Sequence, residues 1–195
     1  ATLARTHPDL VAGVLAVNPL TEETFAGGGI GFLHTMGRLA PAPTRVLRQL
    51  SRRVRVPRPV VELALRFQLG PKGTERGLHR DAELLACQLR PEQVPALVDV
   101  LDDMGSYGTL DSAGAPAGRP RWIAWGERNR VLSRRRGQHL PDVLHADRVE
   151  VLDGCGHLPS LEDPDAVTAL IRRQLDRTDP ASATDRADAT VEAAS

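Results

Sequence analysis

Aromatic side chains are scarce in this sequence, with two Trp, one Tyr and three Phe in 195 residues. A chain so poor in rings has little to stack against bases, and no nucleic-acid-binding motif is present to offset that lack. Net charge is absent as well. Lys and Arg total 25 against 25 Asp and Glu, so no overall field draws in nucleic acid or an anionic membrane. Cysteine is limited to Cys87 and Cys155, too few for a disulfide framework or a four-cysteine zinc site, and a reducing cytoplasm is the expected setting. No apolar run approaches the ~18–20 residues of a transmembrane helix, and no basic-then-apolar leader opens the chain.

What is there suits one globular domain, with 41% hydrophobic and 26% charged residues over a length that leaves no room for a second full domain. Residues 1 to 6 read as the end of a helix stopped by His7 and Pro8. The run Val11 to Val17, bounded by Pro8 and by Asn18-Pro19, has the composition of a strand buried on both faces, hence of a parallel sheet. From residue 20 to 118 the pattern is helical and broken by Gly and Pro. Its stripes are Val46, Leu47, Leu50 and Val54, then Val61, Ala64 and Leu65, then Ala82 to Leu89, then Val94, Leu97, Val98, Leu101 and Met104.

Strand character returns at Arg121 to Trp125 and at Val149 to Leu152, with a helix expected over Ser133 to Leu144 between them. A last helix is predicted to begin with Asp163 as N-cap and Pro164 in its first turn, burying Val167, Leu170, Ile171 and Leu175. Beyond it, residues 178 to 195 are Ala, Asp, Thr and Ser with almost no large apolar side chain, a composition expected to stay disordered.

Two stretches carry candidate chemistry. Leu152-Asp153-Gly154-Cys155-Gly156-His157-Leu158-Pro159 directly follows a predicted strand and precedes a capped helix. In parallel sheets, functional groups gather beyond the carboxyl ends of strands, and the glycines allow a tight turn that presents an imidazole there. Histidine can take up a nucleophile's proton near neutral pH. The second stretch, Trp122-Ile123-Ala124-Trp125-Gly126-Glu127-Arg128-Asn129-Arg130-Val131-Leu132, is again a strand running into a polar turn.

Trp-Gly-Glu-x-x-x-Val-Leu, followed about thirty residues later by Gly-x-Gly-His-x-Pro, an Asp-Pro pair and an amphipathic helix, resembles the C-terminal part of an α/β-hydrolase. The opening Leu-Ala-x-x-His-Pro-x-x-Val-x-x-Val-Leu is similar to the helix after that family's nucleophile and the strand that follows. The resemblance implies an α/β fold, the C-terminal part of an α/β-hydrolase parallel sheet. Core segments are expected at 1–19 and 119–177, with a helical cap inserted at 20–118. It implies a hydrolase of an ester or similar bond in a small-molecule substrate, with no cofactor and no metal.

His157 then matches the triad histidine, the general base, and Asn129 falls where the family has its acid. A carboxylate there would fix the imidazole tautomer and stabilise the imidazolium; an amide orients without neutralising. The family's alternative acid slot is also an amide, Asn18. Glu127 is the first substitute, with Glu22 and Glu23 more distant. Val131 and Leu158, beside the acid and histidine positions, are expected to wall the substrate pocket.

No Gly-x-Ser-x-Gly nucleophile turn is present in the sequence. Ser106 in Met104-Gly105-Ser106-Tyr107-Gly108 comes nearest but follows a helix and reads as a helix-ending loop. The nucleophile is therefore expected upstream of residue 1. The alternative is a truncated or degenerate, non-catalytic homologue acting as an interaction module, motivated by the two amides.

Other features carry less. Gly27-Gly28-Gly29-Ile30-Gly31 fits no phosphate-binding pattern and reads as a hinge into the cap. Arg45, Arg48, Arg52, Arg53, Arg55 and Arg58 read as a solvated helix face. Cys155 lacks a second ligand cluster and reads as a packed thiol, while His7, His34, His79, His139 and His145 show no ligand spacing.

Overall fold

The computed structural model describes residues 7–29, 31, 56–102 and 120–178. Three strands, β1 (Val14–Val17), β2 (Arg121–Gly126) and β3 (Arg148–Leu152), form a parallel sheet in the order β1-β2-β3. In register, Leu15 faces Trp122 and Val17 faces Ala124, while Gly126 faces Leu152. Parallel neighbours require crossovers. Between β1 and β2 run α1 (Glu22–Ala26), α2 (Arg58–Gln68), α3 (Pro71–Glu75), α4 (Ala82–Gln88) and α5 (Gln93–Asp102). Between β2 and β3 lies α6 (Leu140–Val143), and after β3 come α7 (Pro159–Glu162) and α8 (Pro164–Thr178).

β2 is the strand buried on both faces, and its alternation builds two cores. Trp122 and Ala124 pack with Leu152, Cys155, Val167 and Leu170 under α8. Ile123 and Trp125 pack with Phe25, Val131, Leu132 and Leu140 on the other side. The guanidinium groups of Arg148 and Arg177 lie 5.2 and 5.5 Å from the Trp122 ring, close enough for cation–π attraction. Gln174 ties α8 to the sheet's entry end, its Nε2 donating to the carbonyls of Val14 (2.7 Å) and Pro120 (3.1 Å). A smaller cluster of Val61, Leu65 and Leu85 joins α2 to α4.

Several expectations need correction. β1 is half-buried along its length rather than buried on both faces, because among the described residues it pairs with β2 alone. The helix expected over Ser133 to Leu144 is reduced to α6. Residues 133–139 form turns, with Ser133 N–H drawn to the Thr24 carbonyl at 2.7 Å and the Gly137 N–H shared by the Ser133 and Arg134 carbonyls.

The glycine run is docked rather than hinge-like at Gly28, where an added Cβ would stand 1.7 Å from the Val131 carbonyl oxygen. Only glycine permits that approach. On α8, Val167 and Leu170 are buried as expected, whereas Ile171 and Leu175 are exposed. The stripe from Val46 to Val54, Ser106, residues 1–6 and the tail beyond Thr178 lie outside the described residues, as do the side chains of Val94, Leu97, Val98 and Leu101.

Candidate active site

All three strands deliver a loop to the same end of the sheet, and the three loops are bonded to one another. Asn18, directly after β1, is buried and holds a left-handed φ of 46°, a conformation that Asn tolerates better than most residues. Its Oδ1 accepts the Gly126 N–H at 2.9 Å, and its Nδ2 donates to the carbonyls of Gly156 (3.2 Å) and His157 (3.0 Å). Asn18 thus clamps the ends of β1 and β2 to the histidine loop through both ends of its amide. A carboxylate could not make the two donations.

The turn after β2 approaches the same loop backbone to backbone. Arg128 N–H donates to the Cys155 carbonyl at 2.8 Å, and a Cβ on Gly126 would stand 1.9 Å from the Gly156 oxygen. Asn129 closes that turn, its Oδ1 accepting from Val131 N–H (3.0 Å) and Leu132 N–H (3.1 Å). This use of the oxygen fixes which way the amide points. Its Nδ2 is buried without a hydrogen-bond partner.

His157 is half-buried, and its Nδ1 is likewise buried and without a partner. Burial holds the imidazole pKa below the ordinary 6.5, and the nearby Glu162 carboxylate works against that shift. Neither Asn129 nor Glu127 hydrogen-bonds this nitrogen. Glu127 is turned to other partners. Its Oε2 accepts the Gly154 N–H at 3.2 Å and lies 3.3 Å from Arg128 Nε, and the Gly154 bond is the main cause holding its carboxyl below the usual range.

Of the remaining candidates, Glu22 and Glu23 sit in the first turn of α1, with Glu23 3.6 Å from His139 Nδ1. Val131 is absorbed into the core around Trp125, while Leu158 remains half-buried beside His157. Cys155 is fully buried, and burial pushes its thiol up to about 11. It is therefore a packed, unreactive thiol. Among the described residues, no cluster of His, Cys, Asp and Glu could hold a metal ion, and no helix is long and apolar enough to cross a membrane.

Sequence reasoning passed over Glu162, the most heavily engaged residue in this region. It is 1% exposed at the end of α7. Its Oε1 accepts from Gly156 N–H (2.9 Å) and Leu158 N–H (3.0 Å), and its Oε2 from Gly70 N–H (2.6 Å) and Gly156 N–H (2.9 Å). The His157 N–H itself donates to the Gln68 carbonyl at 2.7 Å, and Lys72 N–H to the Gly154 carbonyl at 3.2 Å. The histidine loop is therefore braced from below by the α2–α3 junction. Lys72 Nζ adds an ion pair to Asp163 at 2.5 Å. Asp163 also accepts the Ala166 N–H (3.0 Å), as an N-cap should.

No protein-family model matches the chain, and neither does any curated protein. Solved structures do match. BpoC from Mycobacterium tuberculosis H37Rv, a candidate non-heme bromoperoxidase, superposes with a TM-score of 0.62 at 16% identity, covering 91% of this chain and 62% of its own. A thermophilic esterase from Thermogutta terrifontis gives 0.59 at 20% identity, covering 90% and 59%. An α/β-hydrolase fold protein from Burkholderia ambifaria gives 0.55 at 19%, covering 87% and 60%. The chain has the α/β-hydrolase fold. It spans about 60% of the length of the solved structures it matches. In open α/β sheets ligands generally bind beyond the carboxyl ends of the strands, the end at which the loops after β1, β2 and β3 meet.

Proposed function

We propose that the protein is a serine-type hydrolase of an ester or similar bond in a small-molecule substrate. His157 serves as general base, and the nucleophile lies upstream of residue 1. The observation that carries this reading is His157 itself, a half-buried imidazole at the carboxyl end of a parallel sheet with the backbone on either side of it pinned by Glu162.

In the proposed cycle His157 Nε2 takes the nucleophile's proton as the hydroxyl oxygen attacks the carbonyl carbon, then passes it to the departing alkoxide. Water next repeats the attack on the acyl-enzyme, and the imidazole returns to its starting state. For Nε2 to hold the lone pair, the ring proton must sit on Nδ1, which has no acceptor here. Leu158, half-buried beside the imidazole, is the proposed apolar wall. The free thiols of Cys87 and Cys155 suit a proposed cytoplasmic location.

A second reading, a non-catalytic homologue acting as an interaction module, draws on one observation. Both acid slots are occupied by amides whose oxygens are spent on backbone N–H groups. Turnover of a p-nitrophenyl ester by the protein carrying its upstream segment discriminates the two. Abolition by His157→Ala with the fold retained is expected. Equal turnover in that variant overturns the assignment, and no turnover in the unaltered protein favours the second reading.

A further inference from the structure

We propose that Glu162 is the positioning residue of His157, holding the backbone on both sides of it and supplying the negative charge that the amide at position 129 lacks. The inference rests on the reading of His157 as general base, because only a residue that becomes an imidazolium needs that charge.

The geometry carries the argument. Glu162 Oε1 bridges the N–H groups of Gly156 and Leu158, the residues immediately before and after His157, at 2.9 and 3.0 Å. A carboxylate placed there fixes the backbone from which the imidazole projects. Its second oxygen is held by Gly70 N–H at 2.6 Å, so the α2–α3 junction fixes the carboxylate in turn. At 1% exposure it is shielded from water, and a charge in such surroundings acts over several ångströms with little screening.

The neighbouring charges are largely spent on one another. Lys72 pairs with Asp163, and Arg128 with Glu127. Arg76 Nη1 donates to the carbonyls of Leu161 and Glu162. The Cys155 thiol, with its pKa pushed up to about 11, is neutral at working pH, and Asp153 is exposed. Glu162 is the charged group that raises the His157 pKa against the lowering effect of burial.

The test is the His157 titration followed by NMR on the 195-residue chain, which does not depend on turnover. In Glu162→Gln the His157 midpoint should fall below that of the unaltered chain. Adding Asn129→Asp to that variant should bring it back up, since position 129 is the acid slot that the family resemblance implies and a carboxylate there restores a negative charge. An unmoved midpoint in a folded Glu162→Gln chain, checked by circular dichroism, overturns the proposal.

Should Glu162→Gln fail to fold, the unaltered chain labelled at glutamate Cδ decides the matter. An inflection of the Glu162 carboxyl resonance at the His157 midpoint is expected, and a flat trace there overturns the coupling. Failure of the parent reading looks different. The midpoint would move as stated, yet the longer protein would turn over no ester. If instead ester turnover is present and Glu162→Gln leaves the acid limb of kcat/KM unmoved, the inference fails while the hydrolase reading stands.

Discussion

Asn18 donates its side-chain amide to the backbone carbonyl of His157 at 3.0 Å, across 139 residues of chain. The contact is made to the main chain, so Asn18 sets where the histidine loop lies and leaves the imidazole free. The same side chain holds Gly126 N–H and the Gly156 carbonyl, joining all three strand ends.

Asn18→Asp keeps the shape and the tolerance for a left-handed φ but removes both donations and sets a carboxylate against two carbonyls. At about 1–3 kcal/mol for each stranded polar group, the loss of both donations should exceed ~2 kcal/mol. Urea unfolding measures it. Ester turnover should fall as well. A gain in turnover would instead mean that position 18 serves as the triad acid.

Two carboxylates adjacent in sequence should differ sharply in worth. Glu162→Ala strands the N–H groups of Gly70, Gly156 and Leu158, and at about 1–3 kcal/mol for each unsatisfied donor the total should exceed ~3 kcal/mol. Lys72→Ala removes only the Asp163 pair, whose partners are 42% and 21% exposed, and should cost no more than about 1 kcal/mol. Comparing the two urea midpoints checks the contrast, and equal losses would refute it.

The depressed His157 pKa gives a pH dependence of definite sign. Above 6.5 the imidazole is neutral in both folded and unfolded chains and no proton uptake separates them. As pH falls below 6.5 the unfolded chain binds a proton that the buried ring resists, so stability declines until pH passes the lower folded value, then levels off. His157→Gln should remove this component from a stability profile taken downward from pH 7. For the same reason the acid limb of kcat/KM should lie below 6.5. An acid limb at or above that value would contradict the burial effect.

Much of the frame was legible in the sequence because its causes are local. β2 came from a short apolar run, and α8 from Asp163, Pro164 and the spacing of Val167 and Leu170. The helix expected over Ser133 to Leu144 failed because Ser133 is captured by Thr24, more than a hundred residues away in sequence, which no periodicity records. Glu162 escaped notice for a related reason. In Leu161-Glu162-Asp163-Pro164 it looks like an ordinary polar residue before a helix cap, and its burial depends on N–H groups from the glycine loop and from Gly70, 92 residues earlier. His157 could be found by its flanking pattern, but its bracing joins local bonds from Glu162 to distant ones from Gly70 and Asn18, and the distant ones leave no trace in the sequence around it.

The junction around His157 also has a bearing on how the chain folds. Its defining bonds, Asn18 to Gly126, Asn18 to His157 and Gly70 to Glu162, span 108, 139 and 92 residues. Contacts of such separation return their energy only after long loops have closed, which places them late on the path. Pairing of β2 with β3, whose partners Trp122 and Arg148 are 26 residues apart, can form before the four segments meet, whereas pairing of β1 with β2 waits on the same long loop. Recovery of slow amide exchange at Gly126 and Gly70, whose N–H groups make two of these bonds, would therefore mark a late step of folding, and completion of the site would coincide with completion of the native state.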